Sequence, residues 1–201
     1  MKKTKNITID KQAKVSSGAI IYSNVCILGN SIIEEGVIIF SGSVIQNSKI
    51  GKNTIIKSSY IEDSEILENA VVGPFSHIRT QSKIGENSVI GNFVEVKNSI
   101  IGKGVKALHH SYIGDADVGD NTNIGCGVIF CNYNGKTKNR ITIKNNCFIG
   151  SNSNLIAPLC IAEKTYIAAG STLTKNTREY DFVISRNRET IKPECAKKYI
   201  D

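Results

Sequence analysis

An all-β chain wound as a parallel β-helix is the fold this sequence predicts, and three observations predict it. Aliphatic residues recur at a step of six, occasionally five, from Val15 through Ile21, Ile27 and Ile33 to Ile101, and again from Ala107 through Ile113, Val118 and Ile124 to Leu173. Two positions before almost every one stands a small or β-branched residue, such as Ser82, Ser88, Ser111, Thr122, Ser153 or Thr165; Ile141 and Leu159 are the larger exceptions. Glycine often follows the aliphatic residue, as in Ile84-Gly85, Ile90-Gly91 and Ile124-Gly125.

A period of six is neither the 3.6 of an amphipathic helix nor the 2 of a half-buried strand. It fits hexapeptide repeats in which short strands form the flat faces of a triangular prism, three hexapeptides to a coil, with the aliphatic and small positions turned inward. Twenty-seven aliphatic positions give about nine coils. At ~4.8 Å per parallel rung the prism is roughly 40 Å long. Hexapeptide prisms are left-handed as a family property, against the usual hand of parallel crossovers.

Along the chain, residues 1–14 form an N-terminal lead-in and residues 15–173 the β-helix, a single domain. The interval from Phe130 to Ile143 is too long by about seven residues, so the stretch "CNYNGKTKNR" predicts a loop over 131–140 that leaves the prism, the kind of insertion that carries function or an oligomer contact. The pattern stops after Leu173, leaving residues 174–201 as a non-repeat tail. The basic start "MKKTKNITIDKQAK" has no apolar stretch behind it, which reads as cytoplasmic, with the six cysteines reduced. Cys126 and Cys131 lack partners at zinc-finger spacing, and no metal is expected. No apolar run approaches the ~18 residues of a membrane span. The net charge of +7 is interspersed with acids and carries no aromatic-basic stripe, so nucleic acid is not the expected partner; a small phosphorylated ligand suits it as well as plain solubility does.

Residues one coil apart stack, so the period itself nominates neighbours. Two positions beyond Ala107, Ile124, Ile149 and Ile167 lie His109, Cys126, Ser151 and Ala169, one outward column in which a histidine heads a slot lined by small side chains, suited to a long thin ligand. The next column carries Arg79 and Lys97, with Glu95 and Tyr112 across the corner, expected within a few ångströms of the histidine. Two cations, a phenol and a carboxylate beside an imidazole make an anion clamp next to a base. His109 and His110 are adjacent and diverge on a strand, which argues against a zinc site of paired histidines, and His77 and His110 carry less weight.

From about Ala13 to Arg186 the chain resembles the C-terminal acetyltransferase domain of the bifunctional bacterial uridylyltransferase/acetyltransferase that makes UDP-N-acetylglucosamine. The stretches that carry the resemblance are "VGPFSHIR", "GNFVEVK", "KALHHSYIGDADVGDNTNIG", "CNYNG", "GSNSNLIAP", "IAAGSTLT" and "ISR". The resemblance implies His109 as general base and Arg79, Lys97, Tyr112 and Asn123 as the holders of a sugar phosphate. It implies Asn132, Tyr133, Cys126, Ser151, Ala169 and Arg186 as contacts of acetyl-CoA, and Lys138 as a residue reaching a neighbouring subunit's site.

Three features depart from that family. Leu108 replaces a glycine before the histidine, Cys126 replaces an alanine, and no Gly-rich, Arg-containing nucleotide loop precedes the prism, so no uridylyl transfer is expected of this chain. The expected reaction is direct transfer from acetyl-CoA to the amine of an amino-sugar phosphate, foremost glucosamine-1-phosphate, with Glu95 orienting the base or the ammonium, in a homotrimer with sites between subunits. Another amino sugar or sugar nucleotide as acceptor, and a non-enzymatic role beside a separate nucleotidyltransferase, are the alternatives.

Overall fold

A computed structural model describes residues 6–200; the first five residues of the lead-in and the last of the tail lie outside the described residues. The chain winds as a left-handed parallel β-helix of about ten turns with three sheets for faces. The first face holds ten strands from Ile7–Ile9 to Thr172–Leu173, the second nine from Lys14–Val15 to Leu159–Ile161, and the third ten from Ile20–Ile21 to Phe182–Val183.

The period sets the register. Ile78 pairs with Val96 and Val96 with Ile113 on the first face, Ile84 with Ile101 and Val118 on the second, and Ile90 with Ala107 and Ile124 on the third. All of these side chains are buried in one continuous core. Each fully buried isoleucine contributes about 2 kcal/mol of transfer free energy, so the stack of like residues drives the winding.

The small positions do a second job. Ser48, Ser64, Ser82 and Ser99 are buried in one corner, where each accepts a backbone N–H from the next rung, at 3.1 Å from Ser64 N to Ser48 Oγ and 3.0 Å from Ala116 N to Ser99 Oγ. Their own hydroxyls donate to backbone carbonyls, as Ser82 does to Arg79 at 2.7 Å. Hydroxyls thus satisfy backbone groups that turn away from the sheets at a corner. Asparagine recurs at corner positions with left-handed backbone, including Asn87 and Asn121, because its short polar side chain tolerates that region best after glycine.

The strands run one rung further at each end than the count from Val15 to Leu173. Ile9 lies six residues before Val15 and pairs with Ile27, so the period extends back into the lead-in. At the other end Val183 pairs with Ile167 after a gap of irregular length, which hides the rung from a period search. A four-residue helix, Lys197–Ile200, follows. Among the described residues no helix is long and apolar enough to cross a membrane.

Between Ile129–Cys131 and Ile141–Ile143 the chain leaves the prism as a small hairpin, joined by an antiparallel bridge between Tyr133 and Lys138. Asn134 organises its tip: the side-chain oxygen accepts the N–H groups of Lys136 at 2.9 Å and Thr137 at 2.8 Å.

Candidate functional site

The column headed by the histidine lies along the corner between the third and first faces. Gly127 N–H donates to His109 O at 3.4 Å, Asn152 N–H to Cys126 O at 2.7 Å, and Gly170 N–H to Ser151 O at 2.8 Å, which stacks His109, Cys126, Ser151 and Ala169 on successive rungs. Arg186 closes the far end by donating to the carbonyl of Ala169. Beside this column runs another of small residues, Gly91, Gly125, Gly150 and Ala168. A Cβ on Gly150 would stand 2.4 Å from Ala169 N, so the rungs there approach too closely for a side chain. Leu108 interrupts that column next to His109 and is 37% exposed. The two histidines do diverge: His110 sits at a left-handed corner with its ring 4.9 Å from Phe93, which stacks on Phe75 at 5.5 Å.

The cationic cluster occupies the first face. Arg79, Lys97 and Gly114 are in register there, as are Glu95 and Tyr112. Arg79 pairs with Glu95 through Nε at 2.8 Å and Nη2 at 2.7 Å. Lys97 donates to both oxygens of Asp115, at 3.3 and 3.4 Å. Asn98 donates to Asp115 Oδ1 at 2.5 Å, and Asn132 donates both to Asp115 Oδ2 and, at 3.3 Å, to the Tyr112 hydroxyl. Burial pushes the Asp115 carboxyl up, but the donors from Asn98, Asn132 and Lys97 together outweigh it and hold the group below the usual aspartate range.

Lys138 is exposed on the hairpin, and its ammonium is pushed below the ordinary lysine range, first by Lys97 beside it and also by Arg79, against the pull of Asp115. Three cations therefore converge on this face with two carboxylates, Glu95 and Asp115, already engaged. Such a cluster favours an added anion, which relieves the repulsion between Lys97 and Lys138.

No direct bond ties His109 to the clamp within one chain. Among the described residues no hydrogen bond or ion pair joins His109 to Glu95, Arg79, Lys97 or Tyr112, and Glu95 is held by Arg79 instead. Tyr112, in register with Glu95, follows His109 by three residues around one corner, and Gly114, the register partner of Lys97, follows it by five. The period fixes which rungs stack, but residues on either side of a corner lie on different faces. Lys138 lies beside Lys97 of its own chain.

The remaining nominated residues fall nearby. Asn123 sits on the third face in register with Lys106 and Phe148. Tyr133 is exposed on the hairpin with its hydroxyl donating to Gly135 O at 2.7 Å. Asp115 escaped the column argument, although an acid directly after Gly114, at the corner that Asn98 occupies one rung earlier, was a readable signal. A cleft of about 630 Å³ lined by Tyr60, Glu62, Phe75 and His77 lies further toward the N-terminus on the first face and does not include His109.

A parallel prism built on hexapeptides is the fold of the hexapeptide-repeat family, and the chain belongs to that family. The family model described as "Bacterial transferase hexapeptide (six repeats)" matches residues 63–98. Over nearly its whole length the chain is similar to the bifunctional protein GlmU and corresponds to the C-terminal part of such proteins. The relative from Clostridioides difficile (strain 630) is 48% identical over 195 residues, 97% of this chain and 42% of the relative. That from Caldicellulosiruptor saccharolyticus is 48% identical over 184 residues, 92% of this chain and 40% of the relative. The chain thus spans about two fifths of the length of the curated relatives it matches. Among solved structures, the UDP-N-acetylglucosamine O-acyltransferase (LpxA) from Moraxella catarrhalis RH4 superposes with a TM-score of 0.57 at 18% identity, over 85% of this chain and 66% of that one, a likeness of fold.

Proposed function

We propose that the chain is an acetyl-CoA-dependent N-acetyltransferase whose acceptor is an amino-sugar phosphate, glucosamine-1-phosphate first among them. The observation that carries the reading is the pairing of a slot headed by His109 with the cation cluster of Arg79, Lys97 and Lys138. A slot of small side chains beside backbone amides suits a pantetheine arm, and the cluster suits a phosphate dianion. The similarity to GlmU over 97% of the chain supports the same reading.

In the proposed reaction the acceptor amine attacks the thioester carbonyl directly. Its nitrogen gives up a proton to His109 Nδ1 or Nε2 as the C–N bond forms; collapse of the tetrahedral intermediate then breaks the C–S bond and expels the coenzyme A thiolate, which takes that proton from the imidazolium. Arg79 and Lys97, with Tyr112, Asn123 and Lys138, hold the sugar phosphate, which fixes the amine against the acyl carbon. Glu95, steadied by Arg79, faces the acceptor ammonium. Cys126 contributes its backbone N–H to the developing oxyanion, an effect of a few kcal/mol at such sites. Ser151, Ala169 and Arg186, with Asn132 and Tyr133 from the hairpin, contact acetyl-CoA.

The histidine column at the corner and the cations of the first face, with no bond joining them within one chain, suit a site completed by the neighbouring subunit of a homotrimer, in which His109 of one chain meets the first face of the next. A cytoplasmic location goes with acetyl-CoA as donor. Release of free thiol from acetyl-CoA that depends on glucosamine-1-phosphate tests the reading; no release with this or any other amino-sugar phosphate would remove it. Leu108 favours a second reading, transfer to another amino sugar or sugar nucleotide, because its side chain occupies space next to His109 that a glycine leaves open.

A further inference from the structure

Asp115 joins residues on both sides of the proposed site. Its Oδ1 accepts from Asn98 and Lys97, and its Oδ2 from Asn132 and Lys97. Lys97 belongs to the acceptor side, as does Tyr112, whose hydroxyl shares the Asn132 amide. Asn132 belongs to the hairpin that carries Tyr133 and faces the donor. The other end of that hairpin is tied down separately, by Arg140 donating to Asp117 at 2.6 and 2.5 Å, to Ala116 O at 3.1 Å and to Asn98 O at 3.3 Å. Asp117 touches no group of the acceptor side.

We propose that Asp115 is a positioning residue that couples the two substrates: by holding Lys97 and Asn132 with one buried carboxylate, it makes the acceptor clamp and the donor hairpin a single unit. The inference rests on the functional reading above. Its physical basis is that neither partner has a substitute. Without the carboxylate, Lys97 faces Lys138 and Arg79 while Glu95, the acid on its own strand, is already taken by Arg79, and Asn132 keeps only the Tyr112 hydroxyl. A ligand that orders Lys97 therefore orders Asn132, and by reciprocity a ligand on the hairpin orders Lys97.

Asp115→Asn is the direct test. Its backbone sits at φ +50°, a conformation asparagine accepts as readily as aspartate, so the corner is preserved. The expected result is a rise of at least about fivefold in KM for both glucosamine-1-phosphate and acetyl-CoA, whereas Asp117→Asn changes the acceptor KM less than about twofold. A rise confined to the acceptor, or no rise in either, overturns the coupling. Hydrogen exchange on the wild-type protein decides the matter should the variant not fold: glucosamine-1-phosphate alone should slow exchange at the amides of Asn132 and Tyr133, and bound ligand with unchanged exchange overturns it. If no amino-sugar phosphate supports turnover, the functional reading fails on its own, and inorganic phosphate replaces the sugar as the probe of Lys97 with the same exchange readout.

Discussion

Lys97 and Asp115 form an ion pair at 3.3 Å in which only 12% and 9% of the two side chains are open to solvent. A pair this enclosed behaves unlike the exposed Lys83–Glu65 or Lys103–Glu86 pairs, because removing one partner leaves a charge that water does not reach. Lys97→Ala leaves Asp115 with only the two amide donors. The expected loss is about 1–3 kcal/mol of stability, read by denaturant unfolding, together with a rise of at least about tenfold in the acceptor KM. Unchanged unfolding would mean that the carboxylate is already hydrated.

Acid stability follows from the same carboxylate. Its folded pKa is depressed, so its contribution to stability is fully present above the unfolded value near 4 and is lost as pH falls through the lower, folded value. Wild type should therefore exceed Asp115→Asn in melting temperature by a constant margin from pH 7 to about pH 5. That margin should shrink below about pH 4, as protonation takes the charge from the wild-type side chain too. A margin that stays flat to pH 2 would place the difference elsewhere.

Much of the prism was legible in the residues, because the inward column is written as a literal period of like side chains. Ile9 lies on that period and could have been read; Val183 could not, since the gap after Leu173 breaks the step and only the pairing of Phe182 with Tyr166 reveals the rung. The site was legible in its columns but not in its closeness. A period ranks residues along the axis, so it found His109 one coil before Cys126 and Arg79 one coil before Lys97, yet it does not encode which way side chains turn at the corner between them. Asp115 and Arg140 were missed for a related reason: both act at corners, where side-chain direction depends on backbone turns that a six-residue pattern does not encode.

Leu108 offers a direct test of acceptor choice. Leu108→Gly restores the run of small residues between Gly91 and Gly125 and gives up a half-exposed side chain, at a cost of about 1 kcal/mol. With Leu108 limiting the pocket, the variant should accept bulkier amino sugars in an acceptor panel while keeping glucosamine-1-phosphate. An identical acceptor profile would show that Leu108 lies off the acceptor's path.

The adjacent histidines separate chemistry from packing. His109→Ala removes an outward side chain with no hydrogen bond among the described residues, so melting should hardly change, while turnover should fall by roughly 10²-fold or more, the usual worth of a general base. His110→Ala removes a ring tilted against Phe93, a loss of about 0.5 kcal/mol, with little effect on turnover. The reverse pattern would assign the base to His110, and two fully active variants would remove the base mechanism.

Mixing two dead variants tests how the halves meet. Lys138 lies with Lys97 on the first face, and His109 lies around a corner of the same prism; if each site takes its clamp from one chain and its histidine from the next, the two lesions sit in different sites. Chains carrying Lys138→Ala supply an intact His109, and chains carrying His109→Ala supply an intact clamp. Co-refolded at equal ratio, the pair should recover part of the wild-type turnover that neither variant shows alone, because some interfaces in a mixed trimer unite the two intact halves. Exchange of subunits is verified by native mass spectrometry on differently tagged chains. Exchanged trimers that stay inactive would place Lys138 and His109 of the same chain in one site, and the separation around the corner would then have to close within a single subunit.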